Sequence, residues 1–203
     1  MPGTEKDKKL KQIRDEIWNL KNSPLYKHRR KNNYYPVIGE GSHEAEIMLI
    51  GEAPGENEAK TGRPFCGAAG NILDQLFDVI EIKREETYVT NIVKDRPPKN
   101  RDPTTEEIKV YSPFLIRQIN IIEPKVIVSL GRFAMHFTLN YFGLGEKIQS
   151  ISKIHGKVMK AETSYGKVKI IPLYHPAVAV YNRNKLPEMK ENFKKIEKLI
   201  NEG

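Results

Sequence analysis

A glycine-rich segment at residues 51–70, GEAPGENEAKTGRPFCGAAG, has the composition of a binding loop. Glycines permit tight turns and a close approach of the main chain to a ligand. The segment lacks the Gly-Lys-Ser/Thr ending of a Walker phosphate loop, and its glycine spacing differs from the dinucleotide fingerprint, so neither loop is predicted. A simple connection is the alternative, but the length of the segment and the side chains of Glu52, Glu56, Glu58 and Phe65 favour a functional loop.

Two further residues have side chains suited to recognition or catalysis. Asn91 lies in the middle of a β-branched stretch, residues 87–93, where asparagine is uncommon. Its amide offers one acceptor and two donors, so it can pair with the edge of a base or bond a nearby loop. His175 stands directly before Pro176 at the end of an apolar stretch, where an imidazole can donate to developing negative charge. A single histidine is also commonly structural.

Strands and helices that position these residues alternate along the chain. Continuous apolar runs predict buried strands at residues 47–50, 87–93 and 126–131. Helical spacing of apolar residues predicts helices at 5–22, 69–80, 104–122, 132–141 and 186–201. Residues 51–67 and 95–103 are predicted to be irregular, and 155–171 to contain two glycine-punctuated runs. The alternation implies a parallel sheet covered on both faces, with ligands bound outside the carboxyl ends of its strands.

The composition is that of a globular protein with excess positive charge. The 203 residues fit a single domain, 1–203, and carry 34 Lys plus Arg against 26 Asp plus Glu, a formal net charge of +8. This excess favours a polyanionic partner without proving one. Membrane-spanning and secretory-signal patterns are missing, so we predict a cytoplasmic protein. The one cysteine, Cys66, excludes an internal disulfide and any site with several cysteine ligands.

Three segments together resemble the uracil-DNA glycosylase superfamily, and within it family 4, the thermostable type. The first motif of that family is close to GE-x-PG-x-x-ED-x-x-G-x-PF-x-G-x-AG, and residues 51–70 match nearly every fixed position. TNIVKDRPPKNRDPTTEE resembles the asparagine strand and the segment after it, and HPAVAVYN at 175–182 resembles the second motif. The resemblance covers residues 19–200. It implies a monomer with a three-layer α/β/α sandwich around a central four-stranded, mainly parallel sheet.

The resemblance also implies an activity. A protein of this family flips uracil out of single- or double-stranded DNA and hydrolyses the N-glycosidic bond, which leaves an abasic site. Phe65 corresponds to the ring that stacks on uracil, and Asn91 to the amide that reads its edge. His175 corresponds to the group that stabilises charge on O2 of the departing base. The remaining residues implied for catalysis or base binding are Glu52 and Glu58, which position water or offset positive charge, and Gly51 and Ala53.

A loop that inserts into the base stack is implied after His175. The positions that correspond to this loop are Pro176, Val178, Ala179, Val180, Tyr181 and Arg183. Arg183 and Lys185 are expected to contact phosphates beside the flipped nucleotide. Tyr181 departs from the family pattern, since arginine is common there, and Ala59 stands where the first motif usually has aspartate.

A larger departure concerns the iron–sulfur cluster of family 4. The resemblance places Leu20, Ser23, Asp95 and Tyr111 at the four positions of its cysteine ligands. Because thiolates hold such clusters, we predict a protein with no metal and no cofactor, in which these four residues lie together. Losing a cluster removes binding free energy from folding, so ordinary packing or new polar pairs must replace it.

Two alternatives to uracil excision remain at this point. The base range is shifted toward hypoxanthine or xanthine, or the chain is a catalytically weak homologue that binds DNA. Retention of Phe65, Asn91 and His175 weighs against the second alternative. The family's covalently trapping subgroup carries a reactive histidine after the asparagine strand, and residues 95–103 contain none.

Overall fold

A computed structural model describes residues 4–201 of the chain. Its helices are α1 Glu5–Trp18, α2 Tyr26–Lys31, α3 Glu56–Thr61, α4 Ala68–Phe77, α5 Thr105–Ile122, α6 Arg132–Tyr141, α7 Ile151–Ile154, α8 Ala177–Tyr181, α9 Leu186–Phe193 and α10 Lys195–Asn201. Its strands are β1 Glu40–Gly41, β2 Ile47–Gly51, β3 Tyr88–Asn91, β4 Val126–Leu130, β5 Met159–Thr163 and β6 Gly166–Leu173. The predicted domain, 1–203, includes residues 1–3 and 202–203, which lie outside the described part.

The strands form one six-stranded sheet in the order β1-β3-β2-β4-β6-β5. The four central strands run parallel, as predicted, while β1 and β5 pair antiparallel at the two edges. The sequence pattern did not predict these edge strands as part of the sheet. β1 has only two residues, and β5 alternates buried and exposed positions, which is typical of an edge rather than a doubly covered strand.

Side chains of β2 alternate between two apolar layers. Met48 and Ile50 pack with residues of α1, α5 and α6, whereas Ile47 and Leu49 pack with residues of α4, α9 and α10. Successive residues of a strand point to opposite faces of the sheet, so the continuous apolar run of β2 needs a helical layer on each side. The three-layer α/β/α arrangement predicted from the sequence is therefore confirmed.

Helix α1 is shorter than predicted. Thr4 and Asp7 form a capping box at its first turn, and the helix ends at Trp18 instead of residue 22. The helical pattern stops after Asn19, because the N–H of Leu20 donates to Ile17 and that of Lys21 to Asn19, and the Asn19 side-chain amide caps the carbonyl of Asp15. The following residues form tight turns, so the apolar Leu20 is partly buried without belonging to the helix.

Three short elements differ from the prediction. Helix α3 lies within the segment predicted to be irregular, and Gly62, with φ +76°, ends it. Helix α8 lies within the loop after His175. The predicted helix 186–201 is two helices, but Lys194 between them keeps helical angles, φ −56° and ψ −24°. The apolar face therefore continues through the break, which is why periodicity does not reveal it.

The parallel register places three segments at one edge of the sheet. Gly51 is opposite Asn91 at the ends of β2 and β3, so Asn91 is the last residue of its strand and not the middle of a longer one. His175 follows the end of β6 by two residues. In the described part of the chain, none of the helices has the length and apolar character needed to cross a membrane.

Candidate active site

A cavity of about 580 Å³ opens at the carboxyl edge of the sheet. Parallel α/β sheets bind ligands at this edge, outside the ends of their strands. Segments far apart in the sequence meet here. The residues predicted for catalysis or base binding that line the cavity are Glu52, Ala53, Glu58, Phe65, Asn91 and His175.

Gly51 forms a close contact beneath this cavity. A Cβ atom at position 51 would lie 2.3 Å from Oδ1 of Asn91 and 2.7 Å from Cζ of Phe65. The ring of Phe65 in turn lies 5.6 Å from the ring of His175, between centroids, at an angle of 31°. A glycine at position 51 therefore allows the amide and the aromatic ring to share the end of β2.

The main chain at Phe65 is held in an unusual conformation. Its φ of +48° lies in the left-handed region, which costs on the order of 1–3 kcal/mol for such a residue unless the surroundings fix it. The guanidinium of Arg84 donates to the carbonyls of Pro64, at 2.8 Å, and Phe65, at 3.0 Å. Gly70 lets the Phe65 carbonyl approach, since a Cβ there would lie 1.9 Å from its oxygen. Nothing in the sequence pattern singled out Arg84.

Glu58 supports the same turn from the other side. Its side chain is nearly buried, and Oε1 accepts from the main-chain N–H groups of Cys66, at 2.9 Å, and Gly67, at 2.8 Å. These two residues directly follow Phe65, so the carboxylate fixes the turn that presents the ring. Glu58 therefore has a positioning role in the folded chain, whether or not it also takes part in chemistry.

The side chain of Asn91 is buried with an acceptor left free. Its Oδ1 has no hydrogen-bond partner within residues 4–201. An unpaired buried acceptor is costly, so this oxygen is suited to receive a donor from a ligand in the cavity. Behind it the buried Lys94, which the sequence analysis did not single out, donates to the main-chain carbonyl of Asn91 at 2.7 Å and to Oε1 of Gln118 at 2.6 Å.

His175 is oriented as a neutral donor. Burial lowers its pKa to about 4, and the opposing charge of Glu58 does not outweigh this effect. Nδ1 accepts the main-chain N–H of Ala177 at 3.2 Å, which places the proton of the neutral ring on Nε2. A neutral imidazole with a free N–H can stabilise an oxygen that gains negative charge.

Glu52 is a carboxylate of the cavity whose pKa is raised into the neutral range. Burial raises its pKa to about 7, the Asp102 carboxylate adds to the rise, and the Arg132 guanidinium opposes it. Arg132 also donates to Asp102 at 3.0 Å on the protein surface. A carboxyl group with this pKa can accept a proton from water at neutral pH.

Part of the rim of the cavity comes from the segment after β3. Pro97, Asn100, Arg101 and Asp102 line the cavity there. Asn100 and its neighbour Lys99 both have positive φ, +53° and +57°. This segment was predicted only to be irregular. Its proline and charge content signalled a loop, but nothing in it signalled which side chains face the cavity.

The loop after His175 is divided between exposed and buried residues. Tyr181 is 90% exposed, lines the cavity and follows the partly exposed Val180, so these two residues form the tip of α8. Ala179 is fully buried in the apolar layer against α4 and α9, which leaves it no surface for DNA. Of the other predicted loop residues, Pro176 and Val178 do not line the cavity.

The predicted phosphate contacts, Arg183 and Lys185, lie on the surface just beyond α8. The Arg183 guanidinium reaches only Oε1 of Gln75, at 3.4 Å. The Lys185 ammonium forms an ion pair with Glu188 at 2.9 Å and lies over the ring of Tyr174.

The four residues that the resemblance placed at the positions of the family's cysteine ligands lie together, as predicted: Leu20, Ser23, Asp95 and Tyr111. The Tyr111 hydroxyl donates to Oδ2 of Asp95 at 2.6 Å. Its proton is used in this bond, so the Ser23 hydroxyl, 2.6 Å away, donates to the Tyr111 oxygen. Oδ1 of Asp95 accepts from the buried Arg29 at 3.2 Å. Leu20 adjoins this network, since its carbonyl accepts the Ser23 N–H at 3.3 Å. Hydroxyls, a paired carboxylate and an aliphatic chain do not fit an iron–sulfur cluster, which needs thiolates.

The fold and the site together define a three-layer α/β/α protein with its binding cavity at the carboxyl edge of a parallel sheet. The sequence model of the Uracil DNA glycosylase superfamily matches residues 38–201, and the chain belongs to this superfamily. The resemblance recognised in the motifs is thus confirmed.

Type-4 enzymes are among its similar relatives. The chain is 44% identical over 191 residues to the type-4 uracil-DNA glycosylase of Sulfurisphaera tokodaii, covering 94% of this chain and 84% of the relative. It is also 44% identical over 190 residues to the type-4 uracil-DNA glycosylase of Archaeoglobus fulgidus, and the match covers 94% of this chain and 92% of the relative. A type-5 uracil-DNA glycosylase of Pyrobaculum aerophilum is 30% identical over 168 residues, and the match covers 74% of this chain and 70% of the relative.

The contact beneath the cavity predicts the effect of Gly51→Ala. The added methyl group meets Asn91 and Phe65 inside normal contact distance, so the free energy of unfolding should fall by about 1–3 kcal/mol, as for other overpacked sites. Urea unfolding measures this change. In the control Gly145→Ala, the new Cβ meets only the end of the Asn140 side chain, and the loss should be smaller. Equal losses in the two variants would contradict the argument.

We expect the pKa of the Glu52 carboxyl group to depend on the charges beside it. Its carboxyl carbon, followed by NMR, should titrate with a pKa of about 7. Asp102→Asn removes a nearby negative charge and frees Arg132, and both effects favour the carboxylate, so the pKa of Glu52 should fall. Asp78→Asn removes a charge from the far end of α4 and should leave this pKa unchanged. A pKa of Glu52 that is insensitive to Asp102→Asn would rule out this coupling.

Proposed function

We propose that this protein is a DNA repair glycosylase that hydrolyses the N-glycosidic bond of uracil in DNA. The observation that carries the proposal is the free, buried Oδ1 of Asn91 in a cavity that also holds the ring of Phe65. The type-4 and type-5 names of its relatives support the choice of uracil.

Base recognition follows from the arrangement around Asn91. The flipped base stacks on Phe65. Oδ1 of Asn91 accepts the N3–H of uracil, and its amide nitrogen donates to O4. Cytosine has an acceptor at N3 and a donor at C4, so both contacts would be mismatched. Mismatched groups buried without partners cost binding free energy, which rejects the wrong base.

Bond cleavage leaves negative charge on the base and positive charge on the sugar. The electron pair of the glycosidic bond passes to uracil, and Nε2–H of His175 donates to O2 as charge develops there. The ionised carboxylate of Glu52 orients a water toward C1′ and accepts its proton as the C–O bond forms. Glu58 keeps the Phe65 turn in place, and its negative charge also favours the positive sugar.

The surface around the cavity fits a DNA strand. Tyr181 stands at the exposed tip of α8, where a wedge could fill the space that the flipped nucleotide leaves. Arg183 and Lys185 would bind phosphates beside it. We propose that the protein acts as a monomer on single- or double-stranded DNA, in the cytoplasm and without a cofactor.

Single-turnover release of uracil from labelled DNA tests the proposed function. The wild type should release uracil and leave an alkali-sensitive abasic site. His175→Ala should lower the rate by 10²–10³-fold, which is the order for removing one oxyanion donor, with DNA affinity retained. Asn91→Asp should change base choice.

The same assay compares bases and controls. Strands with hypoxanthine and xanthine are measured in parallel, and release of those bases in preference to uracil would favour the shifted base range. Tight DNA binding with no release of any base would favour the binding homologue. His136→Ala, on the exposed side of α6, is the matched control and should keep the wild-type rate.

We further propose that the Arg29–Asp95–Tyr111–Ser23 network replaces the family's cluster. Arg29, Asp95, Tyr111 and Ser23 are all buried, and hydrogen bonds join them one to the next. Arg29 also donates to the carbonyls of Ile17, at 3.1 Å, and Trp18, at 2.7 Å. The network therefore joins α1, α2, α5 and the segment after β3, which is the structural task of a buried metal site.

Asp95→Ala tests this replacement. It leaves the Arg29 guanidinium buried without its counter-charge, so the free energy of unfolding should fall by about 3–5 kcal/mol. Arg29→Met with Asp95→Leu removes both charges and should recover part of this loss. Glu46→Ala breaks an exposed ion pair with Lys125 and should cost at most about 1 kcal/mol. Stoichiometric iron in the purified wild type would overturn the proposal.

A further inference from the structure

Helix α2 carries a cluster of positive charge that is not used within the fold. Its sequence is YKHRRK, and only Arg29 turns inward to the buried network. Lys27, Arg30 and Lys31 are exposed and form no ion pair within residues 4–201. Arg30 differs in this from most arginines of the described chain, which have an acidic partner, and it lies between two further exposed cations on one short helix. We call Lys27, Arg30 and Lys31 the α2 cations.

A chain of contacts joins α2 to the rim of the cavity. Asn100 lines the cavity and accepts from Arg96 at 2.7 Å. Arg96 donates to the Tyr34 hydroxyl at 2.8 Å and lies over its ring, and that ring lies 6.0 Å from the ring of His28 on α2. These contacts therefore join the helix that carries the α2 cations to the part of the rim at Asn100.

The charges near His28 agree with this placement. Burial lowers the pKa of His28, and the positive charges of Arg96, Arg101 and Lys31 lower it further. The negative charge of Asp95 raises this pKa but does not outweigh the other effects. Cations of the rim and of α2 thus act on one imidazole. The positive field of α2 is continuous with that of the rim.

Exposed aromatic rings occur beside the same helix. Trp18 and Tyr35 are each 47% exposed, and their ring centroids lie 5.9 Å apart. The carbonyl of Trp18 accepts from Arg29 of α2. Cations next to exposed rings are typical of surfaces that bind a nucleic acid strand through its phosphates and bases. The other exposed ring of this kind, Tyr181, belongs to α8.

We propose that the α2 cations bind the phosphates of the DNA strand on one side of the flipped nucleotide, while α8 engages the other side. The inference rests on the proposed function, because it takes uracil-containing DNA as the substrate. It extends the DNA contact well beyond the cavity and its predicted wedge. The strand would cross the rim at Asn100 and pass over α2 next to Trp18.

The salt dependence of DNA binding tests the proposal. In Lys27→Gln/Arg30→Gln/Lys31→Gln, the slope of log Kd against log salt concentration should fall by about 2–3, since each phosphate contact contributes about 0.7–0.9. The matched control is Lys160→Gln/Lys167→Gln/Lys198→Gln. These three lysines are also exposed, and they lie on β5, the start of β6 and α10, away from the cavity. The control should keep the wild-type slope.

Trp18 provides a local probe, since it is the only tryptophan of the chain. Its fluorescence should change when the wild type binds uracil-containing DNA. Shortening the DNA to a few nucleotides on one side of the uracil should abolish the change, and shortening it on the other side should not. In the triple α2 variant, the Trp18 fluorescence change should no longer depend on the length of the DNA on that side of the uracil.

Two results would overturn the proposal. One is an equal change of slope in the α2 variant and its control, which would mean that only net charge matters. The other is a Trp18 signal that no DNA alters. Uracil release by the wild type is measured on the same preparations, so failure of the α2 surface and failure of the proposed function give different results.

Discussion

The close approach of Asn91 and Phe65 at Gly51 is the contact on which the site depends. The register of β2 and β3 brings Gly51 opposite Asn91, and the missing side chain at 51 leaves space for the amide oxygen and the ring. Phe65 reaches this space only because Arg84, Glu58 and Gly70 hold its turn in a left-handed conformation. The placement of one amide and one ring at the cavity thus rests on main-chain geometry set by neighbouring residues.

A second constraint is the burial of charge behind the site. Removing Arg29 and Asp95 from water is costly, and their attraction compensates only when every remaining donor and acceptor is paired. The hydroxyls of Tyr111 and Ser23 and the carbonyls at the end of α1 complete that pairing. Such a network is specific in geometry, because each of its hydrogen bonds needs a defined distance and direction.

Much of the fold and part of the site could be predicted from the sequence. The apolar and β-branched runs predicted three of the four parallel strands, and the order of strand and helix placed residues 51–70, Asn91 and His175 at one edge. Periodicity could not reveal β1, whose pairing depends on a distant partner, or the break at Lys194, which preserves the helical phase. Arg84, Lys94 and Asp102 were missed because their roles arise from tertiary contacts that leave no local pattern.

Arg29 links the buried network to the cavity rim and to the surface helix α2. It belongs to α2, yet its guanidinium is bonded to Asp95, which directly precedes the Arg96 that bonds the cavity rim at Asn100. A short helix of six residues has little stability of its own, so its place depends on such an anchor. The buried cation fixes α2, and its exposed neighbours are then free to face a polyanion. One short helix therefore carries both the buried Arg29 and the exposed Lys27, Arg30 and Lys31 that we propose bind DNA.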